Sequence, residues 1–69
     1  MIRITVNGKP REIEREIGLP ALLVAFDVNP KLVAVAINGD VIPKTGYAAA
    51  FVHEGDDLEI VRMVGGGAR

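Results

Sequence analysis

The chain has 69 residues, of which 49% are hydrophobic and 25% charged, with a formal net charge of -1. A domain this short buries only roughly 60% of the surface its unfolded chain exposes, so one layer packs on another and no deep catalytic cavity forms between them. Near-neutral charge with scattered Lys and Arg excludes the basic footprint of a nucleic-acid binder, and the absence of cysteine excludes disulfides and thiolate metal sites and fits a reducing cytoplasm.

Ile2, Ile4 and Val6 alternate with Arg3 and Thr5, the period of a strand with one face on the core, and this start reads as a strand instead of a signal peptide or membrane anchor. Asn7-Gly8 follows, and both residues accept the positive φ of a type I′ turn. Lys9 to Arg15 is therefore expected to return antiparallel, with Ile13 inward and Glu12, Glu14 and Glu16 on the wet face. Gly18 suits a helix N-cap and Pro20 the first turn, where a missing N–H costs nothing. Leu19, Leu22, Leu23 and Phe26 fall at i, i+3, i+4 and i+7, one apolar stripe of a short helix that Asn29-Pro30 is expected to close.

Val33, Val35 and Ile37 alternate with Ala34 and Ala36 in a third strand, turned at Asn38-Gly39-Asp40 into a brief return strand at Val41-Ile42 that Pro43 stops. Lys44 to Val52 carries no clear period and reads as irregular, with room for a helical turn. After a turn at Glu54-Gly55-Asp56-Asp57, the residues from Leu58 to Val64 form the last strand. This order predicts an α+β fold, a mixed sheet of four to five strands with one main helix on one face.

The last strand leads directly into Gly65, Gly66 and Gly67, followed by Ala68-Arg69. Glycine has no side chain and carries the largest ordering cost of any residue, so a glycine run makes a thin, flexible tail over 65–69 beside a folded domain over 1–64. About five residues at roughly 3.3 Å each reach on the order of 16 Å, far enough to enter a partner's active site.

Strand alternation also predicts a surface. With Val33, Val35, Ile37, Leu58 and Ile60 toward the helix, Ala34, Ala36, Val61 and Met63 point to the opposite sheet face, and with Val64 they form an apolar docking patch at the root of the tail. Arg62 shares the core-side register and is expected to escape to solvent at the strand end. His53 is the only histidine and reads as a surface residue, and Glu54, Asp56 and Asp57 lack the ligand spacing of a calcium loop. With no cysteine or serine and one histidine, no nucleophile, base and orienting residue can be assembled; the chain reads as a non-enzyme with no bound cofactor or metal.

The hairpin and helix, then Ala34-Val35-Ala36-Ile37-Asn38-Gly39 with Val41-Ile42-Pro43-Lys44, the Gly55-Asp56 turn and Val64-Gly65-Gly66-Gly67, together resemble the ThiS family of sulfur carriers for thiamine biosynthesis over nearly the whole chain. The resemblance implies a ubiquitin-like β-grasp fold and a C-terminal glycine, Gly67 here, that an E1-like adenylating enzyme activates with ATP and that becomes a thiocarboxylate supplying thiazole synthase. A cytoplasmic location is expected from the absence of cysteine and the strand-like start, and the free protein is expected to be a monomer.

Members of the family it resembles normally end at the glycines, whereas here Ala68-Arg69 locks the Gly67 carboxyl in a peptide bond. Trimming by a protease is favoured over a cloning remnant or loss of the carrier role. Related readings of the same tail are a carrier for molybdopterin, tRNA thiolation or cysteine synthesis, or a ubiquitin-like protein modifier.

Overall fold

The computed structural model describes residues 1–63. Strands β1 (Ile2–Val6) and β2 (Lys9–Ile13) form the expected hairpin, with Ile2 opposite Ile13 and Val6 opposite Lys9. Asn7 and Gly8 at the turn have φ of 52° and 81°, the left-handed pair that a type I′ turn requires. The return strand ends at Ile13, two residues short of the expected Arg15, and residues 14–16 bend away with exposed side chains.

Two residues, Ile17–Gly18, make the short strand β3, and helix α1 follows at Leu19–Ala25 with Gly18 as its N-cap and Pro20 in its first turn. Leu19, Leu22 and Leu23 have no solvent exposure, and Phe26 is half-buried at the C-cap. The helix stops before Asn29-Pro30, where the sequence placed its end. The Val28 amide donates to the Leu23 carbonyl at 2.8 Å and the Asp27 amide to that of Val24 at 3.0 Å, while Asp27 sits at φ 61°. This is a Schellman closure, with an aspartate in the left-handed position that glycine usually fills. Asn29 then caps a separate 3₁₀ turn, Pro30–Leu32, through its side-chain oxygen.

Strands β4 (Val33–Ile37) and β5 (Asp40–Ile42) are joined by a second left-handed turn, with φ 53° at Asn38 and 86° at Gly39. The segment read as irregular is ordered: a 3₁₀ helix spans Lys44–Ala49, and β6 (Phe51–Val52) pairs with β3. Tyr47 is buried there, its hydroxyl donating to the Val33 carbonyl at 3.3 Å. Lys44 also has a structural role that the sequence did not reveal, because its ammonium donates to the carbonyls of Pro30 and Lys31 at 3.0 and 2.9 Å and so ties the two 3₁₀ segments together.

The last described strand, β7 (Asp57–Arg62), ends two residues before the expected Val64. It runs through the middle of a five-stranded sheet of order β2-β1-β7-β4-β5, parallel to β1 and antiparallel to β4, with a separate two-stranded ribbon of β3 and β6. Leu58 sits opposite both Val6 and Ile37 and is fully buried, so the central strand anchors the sheet to the core. That core joins Ile4, Val6, Val33, Val35 and Leu58 of the sheet to the three leucines of α1, with Tyr47 and Val52 closing the side. Each fully buried aliphatic side chain contributes about 1.5–3 kcal/mol, so a handful of them sustains a domain of this size.

Candidate functional site

The face of the sheet away from α1 is the candidate site. Side chains alternate across a strand, so burying Val33, Val35, Leu58 and Ile60 on one side turns Ala34, Ala36, Glu59 and Val61 to the other. The register joins them: Ala34 lies opposite Val61, and Ala36 lies between Glu59 on β7 and Val41 on β5. Val61 is 60% exposed and Val41 74% exposed, while the two alanines are half-buried. The two alanines put small side chains between the exposed valines, with Glu59 as the charged neighbour of Ala36.

Met63 follows Arg62 off the strand end and is 44% exposed; its amide donates to the Leu32 carbonyl at 2.8 Å. That bond fixes the last described residue beside Leu32, itself 51% exposed, and extends the apolar surface around the sheet end. Of the patch expected from sequence, Ala34, Ala36, Val61 and Met63 are thus brought onto one surface. Val64, Gly65, Gly66 and Gly67 lie outside the described residues. Arg62 is exposed, as its place at the strand end predicts.

Val41 and Leu32 were missed. Val41 was legible in principle, because placing Ile42 inward forces its neighbour outward and opposite Ala36. Leu32 was not, since its neighbourhood depends on the 3₁₀ turn that delivers it.

The acidic turn beside this sheet is structural. One Asp56 oxygen accepts from the His53 amide at 2.8 Å and the other from the Asn38 side-chain amide at 3.0 Å, while the Asn38 Oδ1 accepts from the Asp57 amide at 3.0 Å. Gly55, at φ 85°, supplies the left-handed residue of this turn. His53 is exposed and its ring stands 5.5 Å from that of Phe51. Among the described residues, no group of three or more His, Asp or Glu is placed to hold a metal ion, and no helix is long and apolar enough to cross a membrane.

The ThiS family model matches residues 4–67. The chain belongs to the ThiS family. A crystal structure of thiamine biosynthesis protein ThiS from Geobacter metallireducens superposes with a TM-score of 0.84 at 33% identity, covering 96% of this chain and all (100%) of that one. The fold is therefore the ubiquitin-like β-grasp, a five-stranded mixed sheet with one main helix. A protein named ycf40 of Pyropia yezoensis is 36% identical over 66 residues, covering 96% of this chain and 93% of its own length.

A thiazole synthase of Paramagnetospirillum magneticum is 37% identical over 67 residues, 97% of this chain. This ThiS-family chain spans only 21% of that enzyme's length. A second thiazole synthase, from Magnetococcus marinus, is matched in the same way over 20% of its length at 35% identity.

Proposed function

We propose that this ThiS-family chain is a sulfur carrier of thiamine biosynthesis whose Gly67 carboxyl, freed by removal of Ala68 and Arg69, is adenylated and then converted to a thiocarboxylate. The observation that carries this reading is the span of the family match, which runs from the first core strand through residue 67, the last of the three glycines. The carrier supplies position, and other proteins supply the chemistry. It is a substrate of its partners and not itself a catalyst.

A free carboxylate is a poor acyl donor. On an E1-like adenylating enzyme the Gly67 carboxylate oxygen would attack the α-phosphorus of ATP, the bond to the β-phosphate bridge would break and pyrophosphate would leave. A sulfur nucleophile delivered by other proteins would then displace AMP at the acyl carbon. Glycines at 65–67 leave no side chain beside that carbon, whereas the Asp and Glu carboxylates of the body are tied to strands and turns. The folded domain over 1–64 would present the apolar face of Ala34, Ala36, Val61, Met63 and Val64 for docking, and the trimmed tail over 65–67 would enter the active site.

Thiazole synthase is the proposed sulfur acceptor, a reading supported by the two thiazole synthases that each contain a segment similar to nearly this whole chain. The trimming protease, the cytoplasmic setting and a monomeric free state belong to the same proposal.

Intact mass spectrometry of the protein from its own host tests it. The expected mass is that of residues 1–67, with a fraction heavier by one exchange of oxygen for sulfur. A population that retains Ala68-Arg69 throughout, or that appears as adducts joined to lysines of other proteins, contradicts it.

A further inference from the structure

Helix α1 does not roof the whole sheet. It stops at Ala25 and the chain turns off at Asp27, and beyond the helix end Phe26 and Val28 line a depression together with Val6, Val33 and Ile60 of the sheet. Between them lies a solvent-open cavity of about 270 Å³. Its floor is apolar, while Asn7 and two cations, Arg11 from β2 and Arg62 from the end of β7, make the rest of its lining polar. The Arg11 guanidinium lies 5.0 Å from the Phe26 ring centroid, a cation–π contact that holds it at the cavity mouth.

Among the described residues, neither guanidinium has a carboxylate within salt-bridge distance; the ion pairs formed there are Arg3 with Glu12 and His53 with Asp56. No acid lines the cavity, and Glu12 and Asp27 line an adjoining depression that shares Arg11 and Phe26. Asn7, the remaining polar residue, has its carboxamide occupied by both backbone groups of Ile60. Two free guanidinium forks therefore stand over an apolar floor on the side of the sheet opposite the docking face.

We propose that this cavity binds a small phosphate monoester carried on a flat apolar ring, the ring against Phe26, Val28 and Ile60 and the phosphate between Arg11 and Arg62. The planar guanidinium fork matches phosphate oxygens two at a time, and a monoester charge of about -1.5 to -2 at neutral pH answers two arginines better than one carboxylate does. The cavity volume of about 270 Å³ admits one ring and its anionic group. The apolar floor distinguishes such a ligand from bare phosphate, which has nothing to set against it. This site is independent of the tail chemistry proposed above.

The test titrates the full chain with phenyl phosphate while following amide and methyl resonances by NMR. Saturable shifts are expected at Val6, Phe26, Val28, Val33 and Ile60, with a dissociation constant on the order of 1 mM for a ligand this small. Arg11→Gln and Arg62→Gln are each expected to weaken binding by roughly 5- to 10-fold, and the double variant to abolish saturation while still melting cooperatively, its thermal midpoint lowered by about a few degrees through loss of the Arg11–Phe26 contact. Both side chains are exposed, so neither change touches the core. Inorganic phosphate, benzyl alcohol and benzoate serve as controls and should all bind more weakly. Shifts that never saturate or that map elsewhere, wild-type affinity in the double variant, or any control binding as tightly as phenyl phosphate would overturn the assignment.

Discussion

Asn7 shows how far one residue can act beyond its local turn. Its carboxamide donates to the Ile60 carbonyl at 3.1 Å and accepts the Ile60 amide at 2.8 Å, so a side chain at the end of β1 continues the pairing with β7 where the main chain has already turned away. Asn38 clamps the other flank of the same strand through Asp56 and Asp57. Both asparagines were legible as turn formers, because Asn-Gly specifies a type I′ hairpin from local geometry alone. Their long-range bonds were not, since a contact spanning 53 residues depends on which strand the topology places alongside. Asn7→Gly separates the two roles: it keeps the left-handed backbone accessible and removes both bonds. Urea unfolding should show a loss of about 1–2 kcal/mol, and an unchanged midpoint would mean that the clamp contributes nothing.

At the scale of elements, strands β1, β4 and β7 and the buried stripe of α1 followed directly from periodicity. Segment ends were less legible, for physical reasons that differ from place to place. The helix stopped at a Schellman closure whose left-handed residue is Asp27, and an aspartate in that role carries no strong local signal. The 3₁₀ helix and β6 escaped notice because Tyr47 is a single buried side chain in a short alanine-rich run, and because β6 pairs with a two-residue strand more than 30 residues earlier. That segment closes the core through the Tyr47 ring and not mainly through its hydroxyl. Tyr47→Phe should cost about 0.5–1.5 kcal/mol for the bond to Val33, whereas Tyr47→Ala should cost about 3–5 kcal/mol for the cavity it leaves. Thermal melts of the two variants will give that order, and equal losses would contradict it.

For the whole molecule, docking and ligand binding are proposed on two opposite faces of the sheet and acyl transfer at the glycines. Strand alternation places Ala34, Ala36 and Val61 on the outer face, where the register sets Ala34 opposite Val61, and Met63 follows beyond the strand end. The arginine-rimmed cavity on the opposite side was invisible in the sequence, because Arg11 meets Phe26 only once the helix ends where it does. The glycines were legible as composition, and their proposed role rests on the family to which the chain belongs. Met63→Asp places a charge on an exposed position of the outer face and should weaken docking to the adenylating partner by roughly tenfold with no loss of fold, as surface plasmon resonance and a thermal melt would show together. The most direct measurement is pyrophosphate release when the chain ending at Gly67 is incubated with its adenylating enzyme and ATP. The account predicts stoichiometric release from that chain and none from the chain ending at Arg69; no release from the chain ending at Gly67 would contradict it.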